Sequence, residues 1–184
     1  MANRSLLRKQ IREAWRQSIT EDYASQRINS ERSLQASVWS RLNGLLAPNS
    51  RRMFIEPCMS VPGLGKQVRY PDLVVCNSRE VIGIIELKYQ PRARPKWQKD
   101  VDTFHFLATH RETISISNSR FRGVAADARF YPLASNVLFV WAGVHAPCDL
   151  MLKEHVDPKL APHFMALHAE TQPSSAPILR WATG

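Results

Sequence analysis

The 184-residue sequence predicts one α/β domain: a central mixed β-sheet flanked by helices, in the core order helix, three strands, helix, strand, with an extra N-terminal helix. Three observations predict it. Two apolar stripes at helical spacing open the chain. An extended segment from residue 53 leads to Val- and Ile-rich runs at strand spacing over 68–76 and 81–89. A further helical stripe then separates those runs from a nearly continuous apolar run at 136–144. Mixed order of this kind implies helices packed against a mixed sheet.

The elements follow in order. Leu7, Ile11, Trp15 and Ile19 place a helix over residues 5–27, which packs on the domain or, in the competing reading, contacts a partner subunit or a nucleic-acid backbone. Ser30 is a good N-cap for a second helix through Leu34, Val38, Leu42 and Leu45, ending near Pro48-Asn49, with Gly44 weakening its last turn. The segment 53–59 is expected to be extended and 60–66 to be a loop. Strands are predicted over 68–76 and 81–89. Residues 90–95 break the pattern. Pro95 suits the first position of a helix whose stripe is Trp97, Val101, Phe104 and Ala108. The stretch 112–135 reads as loop. The run 136–144 reads as a strand buried on both faces. The tail is expected to hold a short helix near 150–160 and strands near 163–169 and 177–182. With no repeats and no dividing linker, residues 1–184 form one domain: an N-terminal helical extension to 29, a core over 30–145 and a C-terminal elaboration from 146.

Composition bounds the function. Hydrophobic residues make up 44% and charged residues 22%, enough for a core without staples. The formal net charge of +9 favours polyanionic partners. Cys58, Cys76 and Cys148 form no CxxC pair, which argues against a zinc knuckle or a disulfide framework. No apolar run reaches the roughly 20 residues needed to span a bilayer, and the first residues lack a secretory h-region. A cytoplasmic protein without membrane contact is the expectation. The six histidines show no HExxH or HxH spacing, and Pro62-Gly63-Leu64-Gly65-Lys66 lacks phosphate-loop spacing.

The segment 69–89 carries charge where apolar residues belong. Asp72 opens one strand, and Glu86 and Lys88 close the next. A three-residue turn at Ser78–Glu80 would pair Cys76 with Ile82 and so set Asp72 opposite Glu86, with Cβ atoms roughly 4.5–5.5 Å apart. Alternation puts Lys88 on the same face and turns Leu87 into the core. Two opposed carboxylates need a cation. Lys88 can supply it as a structural ion pair. Alternatively Mg²⁺ can, since it binds through one or two carboxylates and water.

Pro71-Asp72, thirteen intervening residues, then Glu86-Leu87-Lys88 resembles the signature of the PD-(D/E)XK nuclease superfamily, which has the restriction-endonuclease-like fold. The resemblance covers roughly residues 30–145 and includes the element order. It implies a Mg²⁺-dependent nuclease, with Mn²⁺ substituting, that hydrolyses phosphodiester bonds without a covalent intermediate. Asp72, Glu86 and the Leu87 carbonyl would bind the metal, and Lys88 would position the attacking water. Glu31 matches an additional acid on the first core helix. It lies two turns before Val38, on the face toward the sheet. The competing reading is that Glu31 merely favours the helix N-terminus. Glu56 is a lesser candidate. Gln98 matches a residue some relatives use, although Asp102 stands where their pattern has Tyr. Arg92, Arg94, Lys96 and Lys99 follow the motif and are expected to contact a phosphate backbone.

The expected function is a DNA endonuclease, with DNA favoured over RNA, acting as a homodimer. The alternatives are a non-cleaving nucleic-acid-binding module on the same fold and a basic interaction protein with a structural acid–Lys cluster.

Overall fold

The computed structural model describes residues 4–47, 50–61, 68–117, 130–149, 152–158 and 160–183. The chain folds as mixed α/β, with a mixed open sheet and three α-helices among the described residues. These are α1 (Ser5–Gln17), α2 (Glu31–Leu45) and α3 (Gln98–Thr109). The strands are β1 (Arg52–Ile55), β2 (Met59–Ser60), β3 (Val68–Arg69), β4 (Leu73–Cys76), β5 (Val81–Gln90), β6 (Ser115–Ser117), β7 (Phe130–His145), β8 (Phe164–Glu170) and β9 (Ile178–Thr183).

The main sheet runs β1-β4-β5-β7-β8-β9. The pairs β5/β7 and β7/β8 are parallel and the others antiparallel. The first part of β7 also pairs with β6, and through it with β2 and β3, in a smaller antiparallel sheet. Parallel strands need cover on both faces. On one face α1 approaches β5 so closely that a Cβ on Gly83 would lie 3.2 Å from Leu7 Cδ2. On the other, Phe104 of α3 packs against Phe139 and Phe164, with ring centroids 5.4 and 6.1 Å apart.

Local chemistry explains the helices. Ser30 caps α2 through its Oγ, which accepts from the Ser33 amide, while Ser33 Oγ accepts from the Ser30 amide. The N-terminal helix buries Leu7, Ile11, Ala14 and Trp15 and continues as a π-helical turn over Ser18–Tyr23. It is part of the core rather than an appendage.

Several expectations are corrected. The stretch read as loop contains β6 and the start of β7, which is 16 residues long. Ile116 and Tyr131 pair across the small sheet, whose other strands are too short to show a period. The extended segment 53–59 divides at Glu56, where φ is +46°, into β1 and β2. The predicted strand 68–76 breaks at Pro71 into β3 and β4, which join different sheets. Helix α3 starts at Gln98, so Pro95 lies in the preceding loop. The predicted tail helix is a short 3₁₀ turn over Leu152–His155. The two tail strands are present as β8 and β9.

The hairpin turn is also longer than expected. The Asn77 amide donates to the Glu80 carbonyl, and Cys76 pairs with Val81. A bulge at Ile82 then restores Val75 to Gly83 and Leu73 to Ile85. The extra loop residue and the bulge cancel. Asp72, one residue before β4, therefore still falls opposite Glu86.

Candidate metal centre and nucleic-acid cleft

The charged residues gather where β4 ends and β5 runs on. Beyond Leu73, no strand among the described residues pairs with β5 on that side, so alternate amides of its last residues lack ladder partners there. Two carboxylates take them. Asp72 Oδ2 accepts from the Leu87 amide at 2.6 Å, and Glu31 Oε2 accepts from the Tyr89 amide at 3.1 Å. A residue's amide and carbonyl point to the same strand edge, so the Leu87 carbonyl also projects to this open edge. Gln35 Nε2 holds the Asp72 carbonyl at 3.0 Å and ties the acid to α2.

Glu86 and Lys88 point to the opposite face from Leu87, toward α3. There they floor a cleft of about 510 Å³ that also includes Asp72, Glu31, Asp100 and Lys99. Glu86 is buried and, by the hairpin register, faces the half-buried Asp72. Burial first, then the neighbouring Asp72 and Asp100 charges, push the Glu86 carboxyl up to about 9. Burial also raises Asp72, to about 6, although the Leu87 amide pulls the other way. The pair is thereby biased toward sharing a proton, because two adjacent carboxylates repel each other when both are ionised.

Lys88 does not fill that role. Its Nζ turns to Asp100 Oδ1 at 3.5 Å and Glu31 Oε2 at 3.8 Å. Burial works against its charge, but Asp100, Glu31 and Asp72 outweigh burial and raise its pKa. Asp100 is buried and also accepts from Trp141 Nε1 at 3.1 Å. Burial raises its pKa, against the pull of Lys88 and the Trp141 hydrogen bond.

The structure thus brings together Asp72, Glu86, Lys88, Glu31 and, at the rim, Lys99. It does not bring the other basic residues to the cleft. Because α3 begins at Gln98, Arg92, Arg94 and Lys96 lie in the preceding loop, and Arg94 borders a separate hollow beside Trp97 and Cys148. Gln98 is exposed and donates to Asp102 rather than reaching the acids. Glu56 is exposed and outside the cleft.

The sequence reading missed Asp100, Arg69 and Tyr70, all of which line the cleft. A signal for Asp100 existed: it sits four residues before Phe104 and seven before Leu107, on the buried stripe of α3. Nothing comparable marks Arg69, whose guanidinium stacks 4.2 Å from the Phe106 ring centroid.

The donor chemistry suits a hard cation. Among the described residues no three His, Cys, Asp or Glu side chains converge closely enough to hold an ion by themselves. An ion here would take Asp72, Glu86, a backbone carbonyl and waters, the ligand mix Mg²⁺ accepts most readily. Comparison with known protein families, curated proteins and solved structures found no match for this chain. No helix among the described residues is long and apolar enough to cross a membrane.

Proposed function

We propose that this protein is a metal-dependent nuclease of the restriction-endonuclease-like PD-(D/E)XK kind, hydrolysing phosphodiester bonds in DNA. The observation that carries the reading is the opposed pair of half-buried Asp72 and buried Glu86 in a cleft, with the Lys88 ammonium beside it yet held by Asp100 and Glu31. A structural ion pair would place the ammonium between the two acids. Here, among the described residues, neither acid of the pair forms an ion pair with a basic side chain, and a cation between them would relieve their repulsion.

Asp72, Glu86 and the Leu87 carbonyl would hold Mg²⁺ or Mn²⁺. When bound, such an ion lowers the pKa of a coordinated water and offsets charge on a phosphate. Asp72 is fixed by the Leu87 amide at Oδ2 and through its carbonyl by Gln35, which leaves Oδ1 for a metal ligand role. Lys88 stays charged among three acids and sits one strand step beyond Glu86, where it can orient a water and counter charge growing on the scissile phosphate. Lys99 and Arg69 at the rim supply positive charge for the phosphates on either side of the cut. Cutting both strands of a duplex needs two such sites, so a homodimer belongs to the proposal.

One observation favours the alternative of a structural cluster. Lys88 is already paired with Asp100 and Glu31, and Asp72 and Glu31 already cap strand amides. Incubating the purified protein with plasmid, linear and single-stranded DNA and with RNA, in Mg²⁺, Mn²⁺ or EDTA, separates the readings. The nuclease cleaves only with metal, and Lys88→Ala lowers the rate by about 10²–10³-fold. Equal cleavage by wild type and Lys88→Ala, or none by either, would overturn the proposal.

A further inference from the structure

The face of the sheet that carries Glu86 and Lys88 continues across β7. In the parallel ladder Glu86 lies beside Trp141 and Lys88 beside Gly143. Trp141 is fully buried, and its ring lies over Gly143 so closely that a Cβ there would collide with the indole. The side chain therefore leaves the Glu86 row and crosses into the Lys88 row. That placement aims its N–H at Asp100 Oδ2 and leaves Oδ1 for the Lys88 ammonium.

The two acids that hold Lys88 are not equivalent. The Asp100 side chain is 6% exposed and the Glu31 side chain 44%. Water screens the Glu31 contact, whereas the Asp100 contact is buried and is fixed at its other oxygen by a ring that cannot move. A lysine ammonium is a point charge on a flexible stem, and its direction must come from its surroundings. A buried ion pair is also a poor source of stability for the fold, because desolvation offsets most of the attraction. Two residues, Trp141 and Gly143, built around one such pair point to placement of the charge.

We propose that Asp100, locked by Trp141 over the bare backbone of Gly143, is the positioning residue that sets where the Lys88 ammonium sits relative to Asp72 and Glu86. The role in cleavage rests on the nuclease reading; the coupling itself does not. Lys88 then contributes to the chemical step only while the indole and the carboxylate hold it in register. Glu31 keeps the strand edge capped and takes a lesser part in steering the ammonium.

The test pairs kinetics with a spectroscopic readout. Asp100→Asn keeps the shape and the hydrogen bond to the indole but removes the charge. It should lower kcat about 10–100-fold with KM within about twofold, the usual scale for a supporting partner of a reacting group. Asp100→Glu should restore part of the loss. Trp141→Phe should lower kcat with KM retained. Gly143→Ala should do the same and displace the indole N–H resonance of Trp141, assigned by its disappearance in Trp141→Phe. The nitrogen–proton spectrum of the uncut, metal-free protein gives the second arm. Asp100→Asn and Lys88→Met should each shift that resonance, because both alter the carboxylate it donates to. Wild-type kcat in Asp100→Asn, or a loss confined to KM, would overturn the positioning role. An indole resonance unmoved by Asp100→Asn and Lys88→Met would overturn the coupling even if the protein cleaves nothing. A protein without cleavage whose resonance does move would sink the nuclease reading and keep the coupling.

Discussion

Two buried polar clusters share one face of the sheet and both touch Trp141, yet they are built in opposite ways. On β7 and β8, His145 and His168 meet at 2.9 Å, with the His168 ring centroid 5.2 Å from Trp141. His145 Nδ1 lies 2.7 Å from the Ala146 carbonyl. A carbonyl only accepts, so that nitrogen carries the proton. In the neutral ring Nε2 is left to accept from His168 Nδ1. Every group in that contact has a partner without any charge. Where β5 passes α3, by contrast, Asp72, Glu86 and Asp100 gather near one ammonium, and burial pushes Asp72 and Glu86 toward their protonated forms. The histidine pair is what a core does with polar groups it must bury. The acid cluster is left short of positive charge at the floor of an open cleft, the condition expected of a site waiting for a ligand.

Mutation should separate the two most strongly at the histidines. His168→Ala strips a buried partner from His145 and opens space beside Trp141. It should destabilise the fold by about 3 kcal/mol, read by denaturant or thermal unfolding. A loss under about 1 kcal/mol would mean the pair is not structural.

Glu86→Gln should act the other way. It removes the carboxyl that folding must protonate and keeps its shape. Metal-free protein should gain about 1 kcal/mol, near 2–4 °C in Tm for a chain of this size, while metal-dependent cleavage disappears. Destabilisation by Glu86→Gln would favour the structural cluster.

The pH dependence sharpens the contrast, because the signs differ. Burial first, then the proximity of His145 and Arg180, lower His168 to about 4 from an ordinary value of 6.5. The unfolded chain then takes up the proton first, so the stability His168 contributes in full above 6.5 drains away as pH falls toward 4. Glu86 is raised from 4.5 to about 9, so the folded chain binds the extra proton and stability falls as pH rises through that window. The Tm advantage of Glu86→Gln should therefore grow from pH 5 to pH 9, while the acid-side loss from pH 6.5 to 4 persists in both proteins. An advantage that shrank with rising pH would contradict the shared proton.

The smallest effect concerns the basic residues. Lys99→Ala should weaken DNA binding and reduce the slope of log affinity against log salt by about 1. Arg94→Ala, outside the cleft, should leave the slope unchanged. Equal slopes for both variants would restore the single basic track that the sequence suggested.

The acid hairpin was legible because strand alternation and a short turn constrain pairing tightly. Asp72 came opposite Glu86 even though the turn was one residue longer than expected, since the bulge at Ile82 absorbed the difference. Glu31 was legible for a similar reason: helical spacing from Val38 and the Ser30 cap fix which way the first turn faces. The tail strands showed in their apolar runs. Strands β2, β3 and β6 did not, because two or three residues carry no period.

By itself, then, the sequence determined the elements with long apolar periods and the one local pairing that opposes two carboxylates. Both follow from backbone geometry over a few residues. The tertiary structure alone decided which cations and acids face that pair. The start of α3 at Gln98 kept Lys99 in the cleft and left Arg92, Arg94 and Lys96 in the loop before it. The bare backbone of Gly143 let Trp141 lie across the sheet and hold Asp100 against Lys88, a contact between residues 41 and 12 positions apart that no local pattern encodes.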